Sequence, residues 1–193
     1  LPLGKYLHQC GFTVLGICLK GHGTTPEAMA RCHWTEWYAS AESGLDQLTP
    51  TVETVFVVGL SMGAILSVLL AAHHGERIRA LSLLGPAFYL STRILFLAPL
   101  LRYILPGIKK SPATLAYYEK HDLFSYPIMP TPALAQLHHL IGHGRKALRR
   151  INLPTQILLG TQDPTVPIAS GARLFNALQT PYKSLIHLPK SHH

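Results

Sequence analysis

The stretch that most constrains this chain is Gly59-Leu60-Ser61-Met62-Gly63, because of what flanks it. Ahead of it, Thr54, Val55, Phe56, Val57 and Val58 are mostly β-branched or aromatic, with no polar alternation. That is how a strand buried on both faces reads. Behind it, residues 64–74 open with Ala64, Ile65, Leu66, Ser67, Val68, Leu69 and Leu70. Such a run is too long and too rich in Ala and Leu for a strand, and predicts a buried helix. Ser61 is thereby placed at a tight strand-to-helix turn. The two glycines are read as relief for side chains that would collide where the chain reverses. The turn lifts the Ser61 hydroxyl clear of the sheet. The Met62 amide, at the start of the helix, faces any negative charge that develops there. Ser61 is the candidate nucleophile and Met62 the candidate oxyanion donor.

The chain has 193 residues, enough for one domain with a sizeable core, and its 48% apolar content argues against disorder. No apolar stretch approaches the roughly 18–20 residues that a membrane-spanning helix needs. Cys10, Cys18 and Cys32 are an odd number and fit neither a disulfide framework nor a metal spacing, so reduced thiols and a cytoplasmic location are expected. No secretory leader is visible in the opening residues. The net charge is +8, with the densest basic groups at Lys109-Lys110 and at Arg145, Lys146, Arg149 and Arg150. The second group has helical spacing and reads first as a solvated helix face. No nucleic-acid motif accompanies it, so no nucleic-acid partner is expected. Weak contact with an anionic membrane surface is the functional alternative.

Strands are predicted at 12–19, 54–58, Ala80–Leu84, 155–159 and Lys183–Leu188. Helices are predicted at Trp34–Leu48, 64–74 and 168–178, the last with Pro167 at its start. The alternation implies an α/β fold, a mostly parallel sheet with helices on both faces. From Pro86 to Arg150 no strand is predicted. Helical pieces at 94–105 and 133–148 stand there between prolines. This insert would lie above the carboxyl edge of the sheet, where ligands bind in open α/β sheets. The expected organisation is therefore a core of 1–85 and 151–193 with a small helical cap at 86–150. The cap's apolar underside would include Leu97 and Leu101.

A nucleophilic serine needs a base to take its proton and an acid to orient the base. The carboxylates after Ser61 are Glu76, Glu119, Asp122 and Asp163. Glu76 ends the helix that follows Ser61, and Glu119 and Asp122 sit in the insert. Asp163 alone follows a core strand directly, so it is the candidate acid. After Asp163 the histidines are His187, His192 and His193. His187 lies inside a strand pattern, which leaves His192 and His193 as loop candidates for the base.

Gly21-His22-Gly23, the turn at 59–63, Asp163-Pro164 and Lys190-Ser191-His192-His193 together resemble the cytosolic carboxylesterase and monoacylglycerol lipase branch of the α/β-hydrolase superfamily. The resemblance covers nearly the whole chain. Family members carry Ser-Gly-His-Val after the last strand. Aligning Ser191 with that serine puts His192 at the glycine and implies His193 as the base. It also implies that His22 shapes a loop near the pocket, while Trp34 and Trp37 read as packing residues. The activity it implies is cleavage of a small carboxylic ester with an apolar acyl chain, such as a monoacylglycerol, with no metal or organic cofactor. Acyl transfer to another acceptor, or a non-catalytic binding protein of the same fold, are the alternatives. In the family a strand ending in His-Gly supplies the second oxyanion amide, and a helix follows the base. The resemblance implies that these first strands and the C-terminal helix lie outside residues 1–193. The chain is then expected to be a fragment, weakly active or inactive alone.

Overall fold

The computed structural model describes residues 2–92, 94–120 and 125–193. The order of elements is α1 (Pro2–Gln9), α2 (Pro26–Ala30), α3 (Trp34–Leu48), β1 (Phe56–Leu60), α4 (Met62–His74), β2 (Ala80–Leu84), α5 (Ile94–Leu101), β3 (Gly107–Lys109), α6 (Pro112–Lys120), β4 (Ile128–Pro130), α7 (Thr131–Ala147), β5 (Thr155–Gly160), α8 (Ile168–Ala177) and β6 (Lys183–Leu188). The main sheet has the order β1-β2-β5-β6, with every pair parallel.

α4 is apolar nearly all round, and Ala64 through Ala71 are all buried. A helix of that composition is stable only inside a protein. It lies between β1 and β2 on one side and α3 and α7 on the other. α8 packs on β5 and β6. α3 starts on a capping box: the His33 side chain accepts from the first turn, and the Glu36 carboxylate accepts from the His33 amide.

Two expectations are corrected. Residues 12–19 enter no ladder among the described residues, and Phe12, Val14, Leu15 and Ile17 are exposed. Their β-branched and aromatic content predicts a strand, but a strand exists only when a neighbour takes its hydrogen bonds. In the four-stranded sheet α4 and α8 lie on one face. Gly171 of α8 meets Leu159 and Leu185, which share a face with Gly59 and Leu83 beneath α4. On the other face Phe56, Val58, Leu60 and Ile186 are exposed. The reason is topological: the strand order advances in one direction, and right-handed crossovers then throw every connecting helix to the same side. Finally, the insert does contain strand: β3 and β4 form a short antiparallel ribbon.

Within the insert, α5 packs on α7 through Leu95 and Ala98, and α7 in turn packs on α4. Leu97 is 55% exposed and Leu101 half-buried, so Leu97 faces outward and not to the underside expected of it. Tyr126 ties the insert to the core. Its hydroxyl donates to the Gly21 carbonyl (2.7 Å) and accepts from the Thr24 amide (2.8 Å). Glu119 is exposed on α6, and Asp122 lies outside the described residues.

The turn between β1 and α4 positions the rest. A Cβ on Gly59 would stand 2.4 Å from both the Gly63 carbonyl oxygen and Ser67 Oγ. Strand and helix therefore touch backbone to backbone. A Cβ on Gly63 meets nothing within 4 Å beyond its own helix and neighbours, so its glycine is not required by collision. Gly59→Ala is expected to cost about 1–3 kcal/mol of stability through overpacking. Gly63→Ala is expected to be neutral or stabilising by up to about 1 kcal/mol, as alanine is in a helix. Urea midpoints of the two variants against the parent check both.

Candidate active site

Ser61 follows the last residue of β1 and adopts φ 54°, ψ −113°, a left-handed backbone rare for a side-chain-bearing residue. Backbone bonds hold it there. Its amide donates to the Leu84 carbonyl (2.8 Å), and its carbonyl accepts from the amides of Ala64 (3.2 Å) and Ala87 (3.3 Å). Met62 is the first residue of α4, so its amide is among those with no carbonyl partner one helical turn back.

The side chains of Ser61, His193 and Asp163 form one line. Asp163 Oδ2 lies 2.7 Å from His193 Nδ1, and His193 Nε2 lies 2.8 Å from Ser61 Oγ. An ionised carboxylate can only accept, so Nδ1 carries the ring proton and donates to it. In the neutral imidazole Nε2 is then the acceptor, and the serine hydroxyl donates to it. The Asp163 side chain is 1% exposed and that of His193 24% exposed. The second carboxylate oxygen, Oδ1, accepts from the amides of Thr165 and Val166, both at 2.8 Å. These two bonds fix the carboxylate plane. A hydroxyl with its proton aimed at an imidazole, and the imidazole held from behind by a buried carboxylate, is arranged for proton transfer from oxygen to ring.

The other sequence candidates lie elsewhere. His192 turns its Nδ1 to the Gln162 carbonyl (3.1 Å). His187 is exposed on β6. His22 stacks edge-on against the buried Trp37, and burial pulls its imidazole below the ordinary range. Trp34 lies against His143 with ring centres 4.5 Å apart. Glu76 ends up past the far end of α4.

Gly85 is a participant that sequence reasoning missed. It follows β2 with φ +48°, and a Cβ there would lie 3.3 Å from the His193 ring and 3.6 Å from Asp163 Oδ2. Bare backbone thus floors His193 and Asp163. A glycine directly after a core strand was the available signal. An open depression of about 510 Å³ between Phe56, Ser82, Gln156 and Tyr182 lies at the amino ends of the strands. The Ser61–His193–Asp163 line lies at the carboxyl ends, where open α/β sheets bind ligands, and we take that edge as the site.

Residues 1–193 match the family model described as serine aminopeptidase, S33. The thermostable monoacylglycerol lipase of Bacillus sp. (strain H-257) is 31% identical over 199 residues, spanning 100% of this chain and 76% of that protein. The carboxylesterase of Bacillus subtilis (strain 168) is 23% identical, spanning 99% of this chain and 77% of that one. Among solved structures, one reported for the metagenome-derived lipolytic enzymes LipS and LipT aligns with a TM-score of 0.88 at 26% identity, over 99% of this chain and 78% of the other. The monoacylglycerol lipase of Paleococcus ferrophilus shares the fold, with a TM-score of 0.67 at 20% identity. With its whole length matched by the family model, the chain belongs to the serine aminopeptidase S33 family, in the lipase and esterase branch of the α/β-hydrolase superfamily.

Proposed function

We propose that the protein is a serine esterase that cleaves carboxylic esters with an apolar acyl group, monoacylglycerols or simple carboxylesters, through an acyl-enzyme on Ser61. The observation that carries this reading is the unbroken line of hydrogen bonds from Asp163 through His193 to Ser61. His193 Nε2 takes the hydroxyl proton as Ser61 Oγ attacks the ester carbonyl. The same proton passes to the departing alcohol as the C–O bond breaks. Water then repeats the sequence and frees the acid and Ser61. Asp163 keeps the ring in the required tautomer and stabilises its charged form. The Met62 amide supports the oxyanion, and one such donor is worth about 3–4 kcal/mol.

The family description names an aminopeptidase, whose substrate presents an α-ammonium group. Among the described residues Asp163 is the one carboxylate in the site, and its oxygens are already engaged. The insert is basic, with Arg102, Lys109, Lys120 and Lys146. That charge disfavours an ammonium and leaves a neutral ester as the better fit. A cavity of about 150 Å³ between α5 and α7 is walled by Phe88, Leu90, Leu95, Phe96 and Ile141, with Thr92, His138 and Arg145 also on its lining, and its apolar wall supports an apolar acyl group. We assign 86–150 as the cap, rooted on α4 through α7.

The outer side of α5 and the turn after it expose Phe96, Leu97, Leu100, Tyr103 and Ile104 beside Arg102. A membrane-spanning helix is not involved: no helix among the described residues is long and apolar enough. We read this side as a weak contact with the anionic lipid surface from which the ester is drawn. The unpaired Cys10, Cys18 and Cys32 are in keeping with a cytoplasmic place in lipid metabolism.

Ser61→Ala is expected to abolish both p-nitrophenyl ester turnover and fluorophosphonate labelling in a folded protein. Asp163→Asn is expected to lower kcat by orders of magnitude with little change in KM, since the loss falls on the transition state. A folded Ser61→Ala protein that keeps most of its turnover would remove the esterase reading. Product analysis with added alcohol acceptors distinguishes hydrolysis from acyl transfer, and labelling without turnover would indicate a binding protein.

Leu97→Asp with Leu100→Asp should weaken co-sedimentation with phosphatidylglycerol vesicles and slow turnover of vesicle-borne monoacylglycerol. Turnover of soluble p-nitrophenyl acetate should be unchanged. Equal loss on both substrates would mean that the helix packs against the core and does not meet lipid.

A further inference from the structure

The basic run on α7 and just after it predicts a solvated face. Lys146, Arg149 and Arg150 are indeed exposed, but Arg145 is half-buried. Its Nε and Nη2 both donate to the Phe88 carbonyl, at 2.9 and 2.5 Å. Its guanidinium carbon lies 4.5 Å from the centre of the Tyr89 ring, and that of Arg173 from α8 lies 4.0 Å from the same centre. Among the described residues neither arginine is paired with a carboxylate. Burial pulls the Arg145 guanidinium below its ordinary range. A guanidinium taken out of water and spent on a neutral carbonyl is costly, which directs attention to what that carbonyl belongs to.

Phe88 is fully buried in the segment 85–91, and that segment touches every member of the triad. Gly85 floors His193 and Asp163. The Ala87 amide donates to the Ser61 carbonyl. The Phe88 amide closes a tight turn onto the Pro86 carbonyl (2.8 Å), and the Ser91 amide reaches the Thr165 carbonyl (3.0 Å) in the loop that carries Asp163. Between those anchors Arg145 holds the middle of the segment from the α7 side.

We propose that Arg145 is a positioning residue for the triad: its forked hold on the Phe88 carbonyl fixes the segment on which Ser61 and His193 rest. The proposal depends on the esterase reading of Ser61. Lysine keeps the charge but has no planar fork, so it replaces only part of the hold.

The test compares Arg145→Ala, Arg145→Lys, Arg149→Ala and Ser61→Ala on p-nitrophenyl acetate, with near-ultraviolet circular dichroism and Tm as controls for folding. Arg145→Ala is expected to lower kcat about 10- to 100-fold with KM nearly unchanged, the cost of a small misplacement of reacting groups. Arg145→Lys should recover part of the loss, and the exposed Arg149→Ala should match the parent. Millimolar guanidinium chloride should restore part of kcat to Arg145→Ala and add nothing to the parent. A folded Arg145→Ala or Arg145→Lys protein with the parent's kcat overturns the proposal. So does a loss that guanidinium leaves untouched and that follows Tm across the variants. Ser61→Ala keeps the two claims apart. If it turns over ester as the parent does, the esterase reading fails. If it is dead while the Arg145 variants are unimpaired, the positioning role alone fails.

Discussion

The contact on which the site depends is the side-chain-free approach of β1 to α4 at Gly59. With a Cβ at Gly59 excluded by the Gly63 carbonyl and Ser67 Oγ, the helix starts directly above the strand. The chain must therefore reverse within one residue, and Ser61 takes a left-handed backbone to do so. That conformation costs on the order of 1–3 kcal/mol for a residue with a side chain and persists only when its surroundings over-determine it. Here three backbone bonds, to Leu84, Ala64 and Ala87, supply the determination. The strain has a geometric return: the serine side chain points away from the sheet toward His193.

His193 is held as firmly as Ser61, by different means. His193 follows β6 on a short loop, but that loop is stitched to the one carrying Asp163. The Gln162 amide donates to the Ser191 carbonyl (3.0 Å), Thr161 to Leu188 (3.0 Å), and the Lys190 amide to Thr161 Oγ1 (3.1 Å). Gly160 brings the two backbones together, since a Cβ there would stand 2.4 Å from the Ser191 carbonyl oxygen. The loops carrying Asp163 and His193 are thus bonded to one another. Asp163 in turn spends one oxygen on two amides of its own loop and the other on the imidazole, so its orientation is not free.

Local pattern carried much of this into the sequence. Ala80–Leu84, Lys183–Leu188 and Trp34–Leu48 have the bounds that their residue pattern predicts. Asp163 stood out by elimination, since few carboxylates follow Ser61 and it lies just beyond a strand, and the structure sets its Oδ2 against His193 Nδ1. What pattern could not carry was anything set by a distant partner. Residues 12–19 have strand composition without a ladder. β3 and β4 are three residues each, too short for a period to register. α5 is apolar on all sides, so nothing in it distinguishes the outward Leu97 from the inward Ala98. Arg145 meets Phe88 across 57 positions and Tyr126 meets Gly21 across 105, and neither pairing leaves a local trace.

Why these particular residues converge follows from the strand directions. All four strands of the main sheet are parallel, so their carboxyl ends lie along one edge. Each end contributes one group. Ser61 follows β1, Gly85 follows β2, Asp163 lies three residues past β5, and His193 five past β6. A Ser61–His193–Asp163 line assembled this way needs no long-range coincidence of side chains, only correct register of the sheet and short loops at its edge. The register supplies the lateral order: Leu60 stands beside Leu84, Leu84 beside Leu158, and Gly160 beside Leu188. Ser61 and Asp163 are thus separated by the β2 end, and a side chain at Gly85 would fall in the space His193 fills. The same reasoning explains why the segment after β2 matters more than its sequence indicates. It is the strip of backbone between Ser61 and Asp163, and whatever holds it, from Arg145 on one side or Thr165 on the other, bears on both.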